Sequence, residues 1–432
     1  MSGGAASHSK AAPSAALCRY RIFIAWFIRY LCSDIGSRRH SRLPEREQYY
    51  YTTNNLPTPA VLTVAMGEEL RKARELNKEK RKRRDMLRLA LWRRAAALLS
   101  AGLALTACAE SDTAHERQID VHDPTMAKEG DTFYLFSTGP GITIYRSQDM
   151  RQWKFSDRAF ATEPHWAKRV SPTFNGHLWA PDIIEHDGRF YLYYSVSAFG
   201  KNTSAIGVTV SETLDPNSPE YGWRDQGIVV QSIPHRDHWN AIDPAVVFDE
   251  SGTPWMSFGS FWEGLKLVKL DPSLTSLAEP QEWHTIARGD RQKFHPVDMA
   301  GSEEIEAPFI FRKNGFYYLF ISRGLCCKGD DSTYRLAVGR SKSVTGPYLD
   351  KNGIDMANGG GTPLISGNER WPGLGHNSAY TFNGKDYLVL HAYESADNGL
   401  QKLKIMDMDW DEDLWPVVNI SQLDTYQGFK VR

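Results

Sequence analysis

The chain has 432 residues, 12% of them aromatic, and a formal net charge of −1. That length allows a large core or several domains, and the near-neutral balance argues against nucleic acid as a partner. The charge is unevenly placed: "RKARELNKEKRKRRD", from Arg71 to Asp85, is dense in Lys and Arg, whereas the chain after residue 110 is mixed.

Residues 1–85 hold "YRIFIAWFIRYLC", an Arg-rich piece and "QYYYTTNN", with no sustained helical or strand period. Met86 then opens a second beginning, with Arg88, Arg93 and Arg94, the apolar stretch Ala95 to Leu105, and "LTAC" ending at Cys108. A positive start, an apolar core too short to span a membrane and a small-residue cleavage site make a secretory signal. Its "L-T-A-C" ending resembles a bacterial lipobox, in which the cysteine receives lipid and becomes the new N-terminus. The expectation is an exported protein, periplasmic or on the cell surface, anchored through Cys108. Residues 1–85 then read as a non-native extension from an over-extended reading frame, with a cytoplasmic tail before a signal anchor as the rival. Cys326 and Cys327 are the only cysteines in the body. They suit neither a disulfide framework nor a CxxC metal site, and pair with each other or stay as thiols.

From residue 117 onward, short aromatic and β-branched strands alternate with Gly, Asn and Asp turns, which predicts an all-β fold for 109–432. One unit recurs: "DPTMAKEGDTFYLF" from Asp123, "APDIIEHDGRFYLY" from Ala180, "DPAVVFDESGTPWMSF" from Asp243, "APFIFRKNGFYYLF" from Ala307 and "HNSAYTFNGKDYLV" from His376. Successive starts lie 57, 63, 64 and 69 residues apart, and the third copy carries two extra residues at its turn. Each unit is long enough for about four strands, so the repetition predicts a five-bladed β-propeller. A β-sandwich is equally strand-rich but would not repeat one opening five times.

In a propeller the innermost strand of each blade starts at one mouth of a central channel. Asp123, Ala180, Asp243, Ala307 and His376 therefore converge, with Glu306 one residue before its blade's opening. Glu306 is preferred over Glu303 and Glu304 because only it abuts the Ala-Pro of the repeat. Its one-residue offset would turn it to the other face of a regular strand. Three carboxylates at one mouth are costly without a task. Paired carboxyl groups, one ionised and one protonated, suit glycoside hydrolysis, and inverting sites hold them about 6.5–9.5 Å apart to admit a water. A third carboxylate would keep the acid protonated. The pattern alone does not say which acid takes which role.

The motifs "HDP", "LWAPDI", "WNAIDP", "GSFW", "IEAP", "CCKGDDSTY" and "GHNS", in this order, resemble those of endo-α-1,5-L-arabinanases of glycoside hydrolase family 43, from about residue 117 to the C-terminus. The resemblance implies Asp123 as general base, Glu306 as general acid, Asp243 as the residue that tunes the acid and orients substrate, and inversion at the anomeric carbon. It implies a sugar groove bordered by Asn240, Ala241, Ile242 and Asp243, by Ser260, Phe261 and Trp262, and by Gly200, while Trp179 is an aromatic candidate at a blade mouth. It also implies a calcium ion in the channel held by His376 with water, although calcium ordinarily prefers oxygen ligands. The expected partner is arabinan, acted on by a monomer. The alternatives are an exo-acting arabinofuranosidase or β-xylosidase of the same family, and a glycan-binding propeller without catalysis.

Overall fold

The computed structural model describes residues 116–289, 300, 304–425 and 427–430. The expectations for 1–85, for the signal at 86–108 and for Cys108 lie outside the described residues. Among the described residues no helix is long and apolar enough to cross a membrane.

The described chain forms a five-bladed β-propeller. Blade one comprises Thr125–Glu129, Thr132–Ser137, Thr143–Ser147 and Lys154–Arg158. Blade two comprises His177–His186, Arg189–Val196, Ser204–Ser211 and Arg224–Ser232, with the two-residue strand Gly139–Pro140 added at its inner edge. Blade three is Ala245–Phe248, Pro254–Phe258, Leu265–Lys269 and Trp283–Ala287. Ile305–Lys313, Phe316–Arg323, Arg335–Ser341 and Thr362–Ser366 make blade four, and Leu374–Phe382, Lys385–Glu394, Leu400–Trp410 and Pro416–Val418 make blade five. Within each blade the strands pair antiparallel in chain order, so each repeat unit is one wedge.

The hairpin that opens each blade follows from local turn chemistry. Asp187-Gly188, Asn314-Gly315 and Asn383-Gly384 all have positive φ, as a two-residue turn matched to strand twist requires. Blade three has the longer turn expected from its two extra residues. There Asp249 Oδ1 accepts the N–H groups of Ser251 and Thr253.

Alternation along the second strands supplies the cores. Phe190, Leu192 and Tyr194 enter the core between blades one and two, while Tyr191 and Tyr193 enter the core between blades two and three. Likewise Tyr317, Leu319 and Ile321 face blade three, and Tyr318 and Phe320 face blade five. Closure is made between blades five and one by Ile119, Val121, Trp153, Val389 and Leu403. Glu116–Gln118 also pairs with Gly428–Lys430, and Lys402 bonds Asp120. Apolar packing thus runs around the whole ring, and that closure is what fixes the blade mouths relative to one another.

A polar chain links the inner strands deeper in the channel. Tyr380 accepts the N–H of Met126 at 2.8 Å and meets the Thr125 hydroxyl at 2.7 Å. Thr125 donates to Asp182 Oδ1 at 3.3 Å, and Val246 N–H donates to Asp182 Oδ2 at 2.8 Å. Residues from four blades meet there, and burial pushes the Asp182 carboxyl up to about 6.

Candidate active site

One backbone irregularity recurs at every mouth. Asp123, Ala180, Asp243, Ala307 and His376 have φ of 52°, 45°, 60°, 54° and 48°. These are the five residues that open the repeats. Strand register breaks at the same places: Trp179 faces Ser195 but Asp182 faces Tyr193, Glu306 faces Ser322 but Phe309 faces Phe320, and Gly375 faces His391 but Ser378 faces Val389. Two residues on the inner strand oppose one on its partner, which is a β-bulge. Left-handed backbone at a non-glycine residue costs about 1–3 kcal/mol and persists where surroundings enforce it. The bulge also removes the difficulty with Glu306, because strict alternation fails there and a residue just before the bulge reaches the same funnel as Asp123 and Asp243.

The bulges are held by a ring of hydrogen bonds from blade to blade. Ala180 N–H donates to Thr138 Oγ1 at 2.7 Å, Asp243 N–H to Ser195 Oγ at 3.1 Å, His376 N–H to Ser322 Oγ at 2.8 Å and Asp123 N–H to His391 Nδ1 at 3.1 Å. In blade three the corresponding position is Gly259, which has no side chain to offer. There the Asp243 carboxylate itself accepts the Ala307 N–H at 3.2 Å.

Asp123 sits among three imidazoles and a hydroxyl. Thr138 donates to its Oδ2 at 2.5 Å, while His122 Nδ1 and His376 Nδ1 lie 2.8 and 3.0 Å from its Oδ1. The His122 contact is an ion pair rather than an aligned hydrogen bond. Burial alone would raise the Asp123 carboxyl, but the charge of His122, then His376 and His391, outweighs it and holds the group far below the carboxylate range. Burial opposes the charge on His122, yet Asp123 and then Glu306 raise it overall, so of the three imidazoles this one is shifted toward the charged form. Burial pushes His376 down and His391 much further down. His391 accepts the Asp123 N–H through Nδ1, so its 3.7 Å approach to Asp123 Oδ1 is not an ion pair. Tyr393 closes the cluster: its hydroxyl accepts the Cys327 N–H at 2.7 Å and meets His122 Nε2 at 3.0 Å. Cys326 and Cys327 are joined as a vicinal disulfide, which resolves the pairing left open by the sequence and puts Cys327 Sγ 3.7 Å from His122.

The surroundings of Glu306 and Asp243 are different in character. Ser260 Oγ donates to Glu306 Oε2 at 2.8 Å. Burial raises Glu306 most, and the charge of Asp123 adds to it, against lowering contributions from Ser260, Tyr334 and His122. Asp243 is raised well above the carboxylate range, first by burial and then by Glu306 and Asp123. The three carboxylates therefore share one funnel, with Asp123 pushed down and the other two pushed up.

The other sequence candidates spread around this centre. Phe261 and Trp262 follow Ser260 in left-handed backbone, with Phe261 N–H donating to Ile305 O at 2.8 Å and Trp262 buried. Asn240, Ala241 and Ile242 are all buried. Asn240 Oδ1 accepts from Ser204 at 2.6 Å, and Ala241 N–H donates to Ser232 Oγ, so in this structure both serve to anchor the Asp243 turn. Trp179 is partly exposed, and Gly200 lies in an open loop beside Phe199, which is 75% exposed. Sequence reasoning gave no role to His122, Thr138, His391, Tyr393 or Tyr334. Thr138, Ser195, Ser322 and His391 each stand sixteen residues beyond His122, Trp179, Glu306 and Gly375, a regularity within the repeats that marks the ring.

His376 has its Nδ1 directed to Asp123, so Nε2 is the ring nitrogen that would face an ion. His122, Asp123 and His391 also converge, with ligand atoms within 4.8 Å. That set is rich in nitrogen, and its Asp123 oxygens are already engaged, whereas calcium takes six to eight oxygens. Among the described residues calcium finds no oxygen cage at His376, and an ion there would draw most of its shell from water.

The family model for "Glycosyl hydrolases family 43" matches residues 117–416. The chain is a family 43 glycosyl hydrolase. Among this hydrolase's relatives, the extracellular exo-α-(1→5)-L-arabinofuranosidase ArbA of Cellvibrio japonicus is 65% identical over 78% of this chain and 94% of its own length. The extracellular endo-α-(1→5)-L-arabinanase 1 of Bacillus subtilis is 41% identical over 75% and 98%. Among solved structures, the Cellvibrio cellulosa α-L-arabinanase complexed with arabinohexaose is 66% identical, with a TM-score of 0.72 over 73% of this hydrolase and all of that chain.

Proposed function

We propose that this family 43 hydrolase cleaves α-1,5-linked L-arabinan with inversion at the anomeric carbon. The observation that carries the reading is the split among three carboxyl groups on one funnel: Asp123, 2.8 Å from the His122 imidazole, is pushed toward the ionised form, while burial pushes Glu306 toward the protonated one. Carboxyl groups pushed apart in this way mark the base and the acid. Asp123 takes a proton from a water as that water's oxygen bonds to the anomeric carbon. The glycosidic C–O bond breaks, and Glu306 gives its proton to the departing oxygen. Asp243 is given the positioning role: its own carboxyl is pushed up by burial and by the charge of Glu306 and Asp123, and it holds the Ala307 N–H directly after the acid.

Arabinan as substrate is supported by the names of the relatives, and their description as extracellular supports export. Anchoring through Cys108 is carried forward from the lipobox. The mode of attack divides the relatives. We read exo-action here, since the 65% relative is named exo-acting, in place of the endo-action expected from motifs. Endo-action stays the second reading on the 41% relative. Size-resolved products from debranched arabinan test substrate and mode together. Short products of constant size from the first minutes fit exo-action, a ladder of oligosaccharides reverses the mode, and no products at all overturn the substrate. A calcium ion held by His376 through water is likewise proposed. Elemental analysis of wild type and His376→Ala tests it, with calcium expected only in the former, and a metal-free wild type would sink it.

A further inference from the structure

Tyr334 ends the "CCKGDDSTY" segment, to which the reaction gives no part. Its ring is almost wholly buried, 1% exposed, and stacks on His391 with centroids 5.8 Å apart. Gly375 makes room for it: a Cβ there would stand 2.3 Å from the Tyr334 ring, so any side chain would displace it. The backbone is fixed as well, since Leu374 N–H donates to Tyr334 O at 3.0 Å and Tyr334 N–H to Ser332 Oγ at 3.3 Å. A rigidly held, buried ring thus carries its hydroxyl toward the carboxyl groups of the site. The charged groups bearing on that hydroxyl are Glu306, then Asp243, then Asp123. It lies close to Glu306 and to Ser322 without reaching full hydrogen-bond geometry with either.

A buried hydroxyl without a formed hydrogen bond is a cost to the fold that calls for an explanation. Catalytic hydrogen bonds are often long in the free enzyme and tighten when substrate binds. Ser260 already donates to one Glu306 oxygen, Oε2. A second donor on a rigid support would fix the rotation of the carboxyl group and so the direction in which its proton leaves.

We propose that Tyr334 is a positioning residue of the hydrolysis, its hydroxyl orienting the Glu306 carboxyl toward the leaving oxygen. The proposal rests on Glu306 being the general acid. It acts only through proton donation, so it matters for a sugar leaving group, which must be protonated, and not for an aryloxide, which departs unaided. The test compares wild type, Tyr334→Phe and Glu306→Gln on linear arabinan and on a 4-nitrophenyl arabino-oligosaccharide. Tyr334→Phe keeps the ring and its packing. We expect its kcat on arabinan to fall about tenfold, the worth of one hydrogen bond to a charged or reacting group. Its KM should be unchanged and its rate on the aryl substrate within about twofold of wild type. An equal loss on both substrates, or no loss on arabinan, overturns the role of Tyr334. If Glu306→Gln itself fails to discriminate between the two substrates, the acid assignment falls instead, and the two failures are told apart.

Discussion

The Asp243 carboxylate accepts the backbone N–H of Ala307 at 3.2 Å, a bond that every other blade makes through a side chain on, or directly after, the preceding blade's second strand. Gly259 occupies that position in blade three, with φ of 129°. The glycine and the carboxylate belong together: the ring remains closed only because the acid takes the acceptor's place, and this ties Asp243 to the residue following Glu306. Asp243→Asn retains an acceptor, whereas Asp243→Ala leaves a buried N–H unpaired at a cost of about 1–3 kcal/mol. Chemical denaturation should find the alanine variant the less stable of the two by roughly that amount, while both lose activity on arabinan. Equal stabilities would separate Asp243 from the ring.

The pH profile of kcat/KM should be broad. The proposed mechanism needs Asp123 ionised and Glu306 protonated, and the first is displaced downward and the second upward. Activity is lost as pH falls through the Asp123 value and as it rises through that of Glu306. His122→Gln removes the nearest cation, so burial is less opposed, the Asp123 value rises, and the acid limb moves to higher pH. An acid limb at the same pH in wild type and variant would contradict the electrostatic role of His122.

Asp182 predicts a pH dependence of stability rather than of rate. Its carboxyl is raised to about 6 by burial, above the value of an unfolded chain. As pH rises from about 4 to about 6 the unfolded chain releases this proton while the folded protein keeps it, so stability falls across that window and levels off above it. The fall attributable to Asp182 is at most about 3 kcal/mol, and Asp182→Asn should abolish it. Denaturant titrations between pH 4 and 7 measure the difference, and parallel curves for the two proteins would refute the assignment.

Phe320 tests the inter-blade packing. It is fully buried in the apolar core between blades four and five, which holds none of the three carboxyl groups. Phe320→Ala should lose about 3–5 kcal/mol by transfer and cavity formation, with kcat on arabinan preserved below the lowered melting temperature. A loss under about 1 kcal/mol would mean that this core is not continuous.

The repeats were legible because each opening residue sits in the same strained place. The chain needs a bulge at Asp123, Ala180, Asp243, Ala307 and His376, and it writes that need five times. The extra turn residues of blade three were readable for the same reason. The bulge itself was not, which is why the offset of Glu306 looked like a difficulty. Also hidden were partners supplied across blade boundaries. His391 lies on a second strand and Thr138 directly after one, where an isolated sequence reads as ordinary β-structure, and their acceptor roles exist only once one wedge abuts the next. Ser260 was readable as part of the site, but its bond to Glu306 depends on that same contact between blades three and four.

The most direct measurement is the initial rate of reducing-end release from linear α-1,5-arabinan by wild type, Asp123→Ala and Glu306→Ala. Wild type should hydrolyse the polymer and each variant should be slower by about 10²–10⁴-fold, the usual worth of a positioned acid or base. Cleavage by either variant at near the wild-type rate would contradict the claim that five blades assemble these carboxyl groups into one hydrolytic site.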